Sequence, residues 1–199
     1  MKKTCKYLLL VLLLSFFMSC SGKQIQYTKV VEGCLSKEEI TILDTLFQNF
    51  VQKMNVYYDC KDADASLHYL VTEFYDIMES RILFSSNAEE KNLINKYRSL
   101  PTFKDSWMIF DTRKNDSDTL HHEYFLGRKL FDCIESNSSN KDLKQIFDNL
   151  KLIGDYSVYI MESAFRELLD QNKKIPNDIG FSIFSFCYMS QLLGQEELY

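Results

Sequence analysis

The sequence predicts an all-α fold, a compact bundle of about six to seven amphipathic helices around a mostly apolar C-terminal helix. The 199 residues include only six glycines and two prolines, too few for the frequent turns of a β-sandwich. Apolar residues recur at spacings of three and four, the period of amphipathic helices. Residues 179–195 carry no charge over 17 positions, which is typical of a helix enclosed by other helices.

The first helix is predicted to begin at Ser36. Ser36 and Glu39 are spaced as a capping box, in which each side chain accepts a hydrogen bond from the backbone N–H of the other residue. An apolar stripe follows at helical spacing and consists of Ile40, Leu43, Leu46, Phe47, Phe50, Val51, Met54 and Tyr57.

A second helix is predicted after the polar turn 59–64. Its apolar stripe consists of Leu67, Leu70, Val71, Phe74, Ile77, Met78 and Ile82. Beside that stripe runs an acidic one, which is either a binding face for a basic partner or a solvated helix surface, and which consists of Glu73, Asp76 and Glu79. A shorter third helix is predicted from a second capping box at 86–89 to just before Pro101.

The middle of the chain does not follow a single periodic pattern. Residues 101–118 combine a short apolar run with a polar segment, and we expect the longest irregular connection there. A helix is expected to resume near Leu120 and to continue through Ile134. Two helices, or one bent near Gly154, are expected over 142–152 and 155–169. Pro176 suits the first turn of the last helix, where a missing N–H costs little.

The first 20 residues resemble the signal peptide of a bacterial lipoprotein. Three lysines precede an apolar run over residues 7–18, which is shorter than the roughly 20 residues of a membrane-spanning helix. The run ends in Phe17-Met18-Ser19-Cys20, which is similar to a lipobox at its last two positions and departs from it at the first two. The resemblance implies cleavage before Cys20 and lipidation of its thiol. Ordinary cleavage and an uncleaved anchor are the alternatives.

This resemblance implies the organisation and the address of the chain. Residues 1–19 form the signal peptide, 20–35 the lipidated cysteine and a tether, and 36–199 a single helical domain. Stable anchoring takes more than one acyl chain, and a mature lipoprotein carries two or three, such as palmitate. Neither an aspartate nor an acidic cluster follows Cys20. We therefore expect an outer-membrane lipoprotein of a Gram-negative envelope that faces the periplasm.

Net charge bears on the kind of partner, and cysteine spacing bears on disulfides and zinc binding. Cleavage before Cys20 leaves 180 residues and changes the formal charge from −5 to −8, because three lysines leave with the signal peptide. An acidic chain is a poor nucleic-acid binder; the charge either suits a basic protein partner or serves only solubility. Of the three pairings open to the domain cysteines, 34–60 is disfavoured because a helix separates the two residues. We expect no disulfide and no zinc site among Cys34, Cys60, Cys133 and Cys187.

His121, His122 and Glu123 form a histidine cluster, with Asp116 and Asp118 just before it. Catalytic zinc takes three protein ligands at spacings such as H-E-x-x-H, and the sequence lacks them. We interpret the cluster as a solvated helix start, and we expect no metal, no cofactor and no catalytic residue. The nucleophile elbow, the P-loop and the dinucleotide-binding fingerprint are also absent from the sequence.

Two further local patterns concern a modification site and a contact within one helix. Asp118-Thr119-Leu120 resembles the Asp-Thr-aliphatic acceptor of general O-glycosylation systems, which implies Thr119 as the modified residue. Asp64 and His68 lie four positions apart, and we interpret them as a local helix contact rather than as a base held by a carboxylate.

These observations predict a non-enzymatic, membrane-tethered lipoprotein that binds another protein. One concrete version, by analogy of fold and address alone, is an immunity protein against an envelope-acting antibacterial effector. The alternatives are an envelope assembly or adaptor lipoprotein and, third, an enzyme of unrecognised type that uses the histidine cluster.

Overall fold

The computed structural model describes residues 27–113, 120–153, 158–172 and 174–195. The helices are α1 (Lys37–Tyr58), α2 (Ala63–Thr72), α3 (Phe74–Ser80), α4 (Ala88–Ser99), α5 (Phe103–Ser106), α6 (Arg128–Asn137), α7 (Lys141–Ile153), α8 (Val158–Gln171), α9 (Asn177–Ile183) and α10 (Ser190–Gln195). The other elements are two 3₁₀ turns (Tyr27–Val31 and Ile82–Phe84), a π-helical segment (Phe184–Met189) and strands β1 (Trp107–Arg113) and β2 (Leu120–Leu126). The predicted all-α class is confirmed, with one two-stranded hairpin added in the described part of the chain.

The predicted capping box of α1 is present. The backbone N–H of Ser36 donates to the Glu39 carboxylate at 2.7 Å, and the N–H of Glu39 donates to Ser36 Oγ at 3.2 Å. The helix then buries the centre of its apolar stripe, from Leu43 to Met54, whereas Tyr57, which was predicted in the same stripe, is exposed. It ends at Asp59, which adopts a left-handed conformation with φ 54°. The sequence pattern therefore located both the start and the buried face of this 22-residue helix.

The predicted second helix is broken into α2 and α3 at Glu73, where φ is −110° and ψ is 26°. Arg166 of α8 binds the backbone at this break. Its guanidinium donates to the carbonyl oxygens of Val71 and Thr72 at 3.2 and 3.1 Å. A continuous helix would use those carbonyls for its own N–H groups. The cap of α4 also differs from the prediction, because Asn87 rather than Ser86 accepts the hydrogen bond, from the N–H of Glu90 at 2.9 Å.

The expectation of an irregular connection at 101–118 and of a helix from Leu120 was wrong. β1 and β2 pair antiparallel, from Trp107 opposite Leu126 to Arg113 opposite Leu120. The pair is anchored at its base, where both Trp107 and Leu126 are buried. The Trp107 indole N–H also donates to the Tyr97 hydroxyl at 3.0 Å. Helix α6 begins only after the hairpin, at Arg128.

The uncharged C-terminal segment lies in the core, as predicted. It is continuously helical from α9 through the π-helical segment to α10, and Phe184 and Tyr188 are fully buried. The Phe184 ring lies 5.0 Å from Phe47 of α1. Gly180 permits close packing, because a Cβ there would lie 2.2 Å from the Tyr27 ring. Within the described residues, no helix is both long and apolar enough to cross a membrane.

A disulfide joins Cys34 to Cys133, with their Cα atoms 6.1 Å apart. The expectation of no disulfide was therefore wrong, although Cys60 and Cys187 are free and buried and the disfavoured 34–60 pairing does not occur. The bridge fixes the segment before α1 to α6. Residues 27–35 were assigned to the tether from the sequence, yet the 3₁₀ turn there buries Tyr27 and Val31 against the core.

Candidate functional site

The three carboxylates predicted as a partner-binding face lie together on the solvent side of one helix. Glu73 occupies the joint between α2 and α3, and Asp76 and Glu79 follow in α3. All three are exposed, whereas Phe74 and Ile77 between them are fully buried. Among the described residues, none of the three forms an ion pair with a lysine or arginine. Their charge therefore faces solvent, and no cation of the described part of the chain pairs with it.

Tyrosines from three helices lie around these carboxylates. The Tyr58 and Tyr69 rings are 5.0 Å apart, which brings the end of α1 against α2. The Tyr58 hydroxyl lies 3.3 Å from Ser80 Oγ at the end of α3. Tyr75 lies in sequence between Glu73 and Asp76, and its side chain is 54% exposed. The carboxylates thus share their surface with one exposed ring, Tyr75, and with the half-buried rings of Tyr58 and Tyr69.

Two further carboxylates, Asp59 and Asp62, lie between α1 and α2. Burial, and after it the Glu73 carboxylate, raises the pKa of the Tyr69 hydroxyl. Burial, then Asp59 and Asp62, raises the pKa of the Cys60 thiol. Asp59 and Asp62 are exposed and lie between the end of α1 and the start of α2, where Tyr58 of α1 contacts Tyr69 of α2. We call this surface the acidic face, and it comprises Asp59, Asp62, Glu73, Asp76 and Glu79 with Tyr58, Tyr69 and Tyr75.

The segment that contains the acidic face is rich in negative charge. Residues 59–81 contain six carboxylates and two basic residues, a net charge of −4, and one of the six, Asp64, bonds Tyr27. Such a concentration produces a local negative potential that attracts basic proteins and accelerates their association. Tyrosine rings add favourable contacts with arginine or lysine, worth about 0.5–1 kcal/mol each at exposed sites. The chemistry of the face therefore suits a partner rich in arginine and lysine.

The fold holds this surface in a defined shape. Arg166 binds the carboxyl end of α2, and its Nε donates to the buried Glu162 at 2.9 Å. Asp62 caps the start of α2 by accepting from the N–H of Ala65 at 2.8 Å. Both ends of α2 are thus fixed by side-chain hydrogen bonds. A preorganised surface loses less entropy when it binds.

The histidine cluster does not lie at a helix start. His121 and His122 belong to β2, opposite Thr112 and Asp111 of β1, so that part of the interpretation was wrong. Exposed Glu123 pairs with Phe110. Within the described ranges, no three His, Cys, Asp or Glu side chains are grouped as metal ligands. The lipobox-like segment with Cys20, and the residues Asp116, Asp118 and Thr119, lie outside the described residues.

Asp64 has a different partner from the one considered in the sequence. Its carboxylate accepts a hydrogen bond from the Tyr27 hydroxyl and so connects α2 to the segment before α1. Burial, and after it this bond, raises the pKa of Tyr27 well above its ordinary value. Asp64 therefore has a structural role in attaching the N-terminal segment.

The sequence indicated the acidic stripe but missed the tyrosines and the second group of carboxylates. The tyrosines come from three separate helices, so no single periodic pattern contains them. Comparison with protein-family models, curated proteins and solved structures gives no match to this chain.

Proposed function

We propose that this chain is a membrane-tethered, periplasm-facing helical lipoprotein that binds a basic protein through its acidic face. The observation that carries the proposal is the group of exposed carboxylates that, among the described residues, form no ion pair, beside the exposed Tyr75 ring. Opposite charge provides steering and selectivity, and the rings provide contact area. The role we propose is binding, without catalysis.

Two features support the envelope address. The first 20 residues resemble a lipoprotein signal peptide, which implies a lipid on Cys20. The Cys34–Cys133 disulfide supports an oxidising compartment, because disulfides persist in the periplasm and are rare in the cytosol. Lipid on Cys20 leaves only a few residues before the buried Tyr27. This short connection would hold the domain close to the membrane.

One form of this function is an immunity protein that neutralises an envelope-acting antibacterial effector. The acidic face supports it, since a basic effector would find a complementary surface. The analogy with small, acidic, helical, lipid-anchored immunity proteins concerns only fold and address. An envelope assembly or adaptor lipoprotein would use the same face for a resident partner.

A charge-neutralising variant tests the role of the face. Glu73→Gln, Asp76→Asn and Glu79→Gln together remove three charges from it. A matched control removes three exposed charges on α5 and α7, by Asp105→Asn, Asp142→Asn and Asp148→Asn. Envelope proteins captured by the tagged full chain are compared at low and at physiological salt.

We expect the face variant to lose a basic partner that the wild type and the control variant both retain. The retained binding should weaken as salt increases, because salt screens exposed charges. Equal capture by all three proteins would contradict the proposal. For the immunity form, cells that carry the face variant should lose protection against the cognate effector, whereas the control variant protects as the wild type does.

A further inference from the structure

A groove runs between α1 and the connection that leads into α4. It has a volume of about 390 Å³, within the range of about 300–1,000 Å³ typical of small-molecule sites. One wall is a single face of α1, and the other is the segment 85–87 with the first turn of α4. The lining residues are Asn49, Gln52, Lys53, Val56, Tyr57, Ser85, Ser86, Asn87 and Glu90.

The charged residues of the groove neutralise each other. Lys53 Nζ lies 2.5 Å from Glu90 Oε2 and 3.2 Å from both the Leu83 carbonyl oxygen and the Tyr188 hydroxyl. These contacts use all three ammonium protons. The Tyr188 hydroxyl donates to the other Glu90 oxygen at 3.3 Å. The Lys53 side chain is 15% exposed and the Glu90 side chain is fully buried. The pair therefore offers little to a charged ligand.

Neutral polar groups form the rest of the lining. Asn87 Oδ1 accepts from the Glu90 N–H at 2.9 Å, which leaves the Asn87 NH₂ group as a donor. Gln52 is exposed and Asn49 is half-buried, and each amide both donates and accepts. The Ser86 hydroxyl oxygen is buried without a hydrogen-bond partner in the described structure. The groove thus contains several donors and acceptors of no net charge.

An apolar wall completes the groove at the end of α1. Val56 is 67% exposed and Tyr57 is 44% exposed, so a ring face and an aliphatic side chain are both accessible. A ligand that matches this lining has polar groups at its edge and an apolar face. Sugar rings have this character, because their hydroxyl groups project outward and their C–H groups form patches that pack on aromatic rings.

We propose that this groove binds a neutral carbohydrate of about one or two rings. Its C–H face packs on Tyr57, and its hydroxyl groups exchange hydrogen bonds with the amides of Gln52 and Asn87. Anions are disfavoured because the Lys53 protons are already used, and cations are disfavoured because Glu90 is buried and paired. The proposal is independent of the acidic face and of the protein partner.

Isothermal titration of the purified full chain tests the proposal. The chain is kept in a detergent without a sugar headgroup. The neutral probes are N,N′-diacetylchitobiose and maltose, and the charged probes are glucuronate and inorganic phosphate. Tyr57→Ala and Gln52→Ala alter the groove, and both residues are exposed, so the fold should be retained. Tyr75→Ala removes a comparably exposed tyrosine outside the groove and serves as the matched control.

We expect saturable binding of at least one neutral sugar, weakened about tenfold or more by each groove variant and unchanged by Tyr75→Ala. Three results would overturn the proposal. They are no neutral-sugar binding at concentrations of about 10 mM, tighter binding of glucuronate or phosphate than of either sugar, or equal losses in Tyr57→Ala and Tyr75→Ala.

Discussion

Removal of the Cys34–Cys133 bridge should destabilise the fold strongly. The perturbation is Cys34→Ala with Cys133→Ala. The bridged residues are separated by 99 positions, and closing a loop of that length in the unfolded chain stabilises a protein by about 4.7 kcal/mol in the chain-entropy relation. Domains of this size have free energies of unfolding of about 5–15 kcal/mol. The bridge therefore accounts for a large part of the total free energy of unfolding.

Guanidinium unfolding followed by circular dichroism measures this loss. The free energy of unfolding should fall by about 4–5 kcal/mol, and the melting temperature by roughly 10–20 °C. The denaturant slope should increase, because the unbridged unfolded chain exposes more surface. Cys60→Ala is the matched control, since it removes a buried thiol and leaves the bridge intact. A decrease in the free energy of unfolding of less than about 1 kcal/mol, or one no larger than that caused by Cys60→Ala, would contradict this role of the bridge.

Two further perturbations test the core and the start of α1. Gly180→Ala should lower the free energy of unfolding by about 1–3 kcal/mol, because a Cβ there would lie 2.2 Å from the Tyr27 ring. Thermal melts measure this loss. A melting curve like that of the wild type would show that Tyr27 does not pack against Gly180. Burial alone would raise the pKa of Glu39, but hydrogen bonds from Thr102 and from Ser36 outweigh it and hold that pKa below its ordinary value of 4.5. The carboxylate therefore stabilises the fold above about pH 4.5, and this contribution is lost as pH falls through the lower folded-state pKa. Glu39→Gln should lower the free energy of unfolding by about 1 kcal/mol near neutral pH and by less in acid. Denaturant titration at several pH values measures this difference. A difference that does not change with pH would contradict this role of the Glu39 charge.

Local patterns predicted the elements that depend on nearby residues. The start of α1 follows from Ser36 and Glu39, and the burial of the C-terminal helix follows from its uncharged composition. Both outcomes rest on interactions or properties contained within one segment. The acidic stripe was predicted for the same reason, since Glu73, Asp76 and Glu79 lie on one short stretch.

The features that the sequence did not predict depend on distant contacts. At the break near Glu73, the Thr72 carbonyl oxygen binds Arg166, which is 94 positions away in the sequence. The disulfide joins residues 99 positions apart, and four cysteines alone do not determine a pairing. The hairpin was missed because apolar and polar residues do not alternate clearly along 101–118 and 120–126. The tyrosines of the acidic face come from separate helices, and only tertiary packing brings them together.

Photo-crosslinking in living cells tests the proposed binding most directly. A photoreactive amino acid replaces Glu79 on the acidic face in one strain and Asp148 on α7 in another, both exposed positions. We expect that the strain with the change at Glu79 yields a crosslinked product with a basic envelope protein and that the strain with the change at Asp148 does not. The product should disappear when Glu73 and Asp76 are also neutralised. No product at Glu79, or the same product from both positions, would contradict binding through the acidic face.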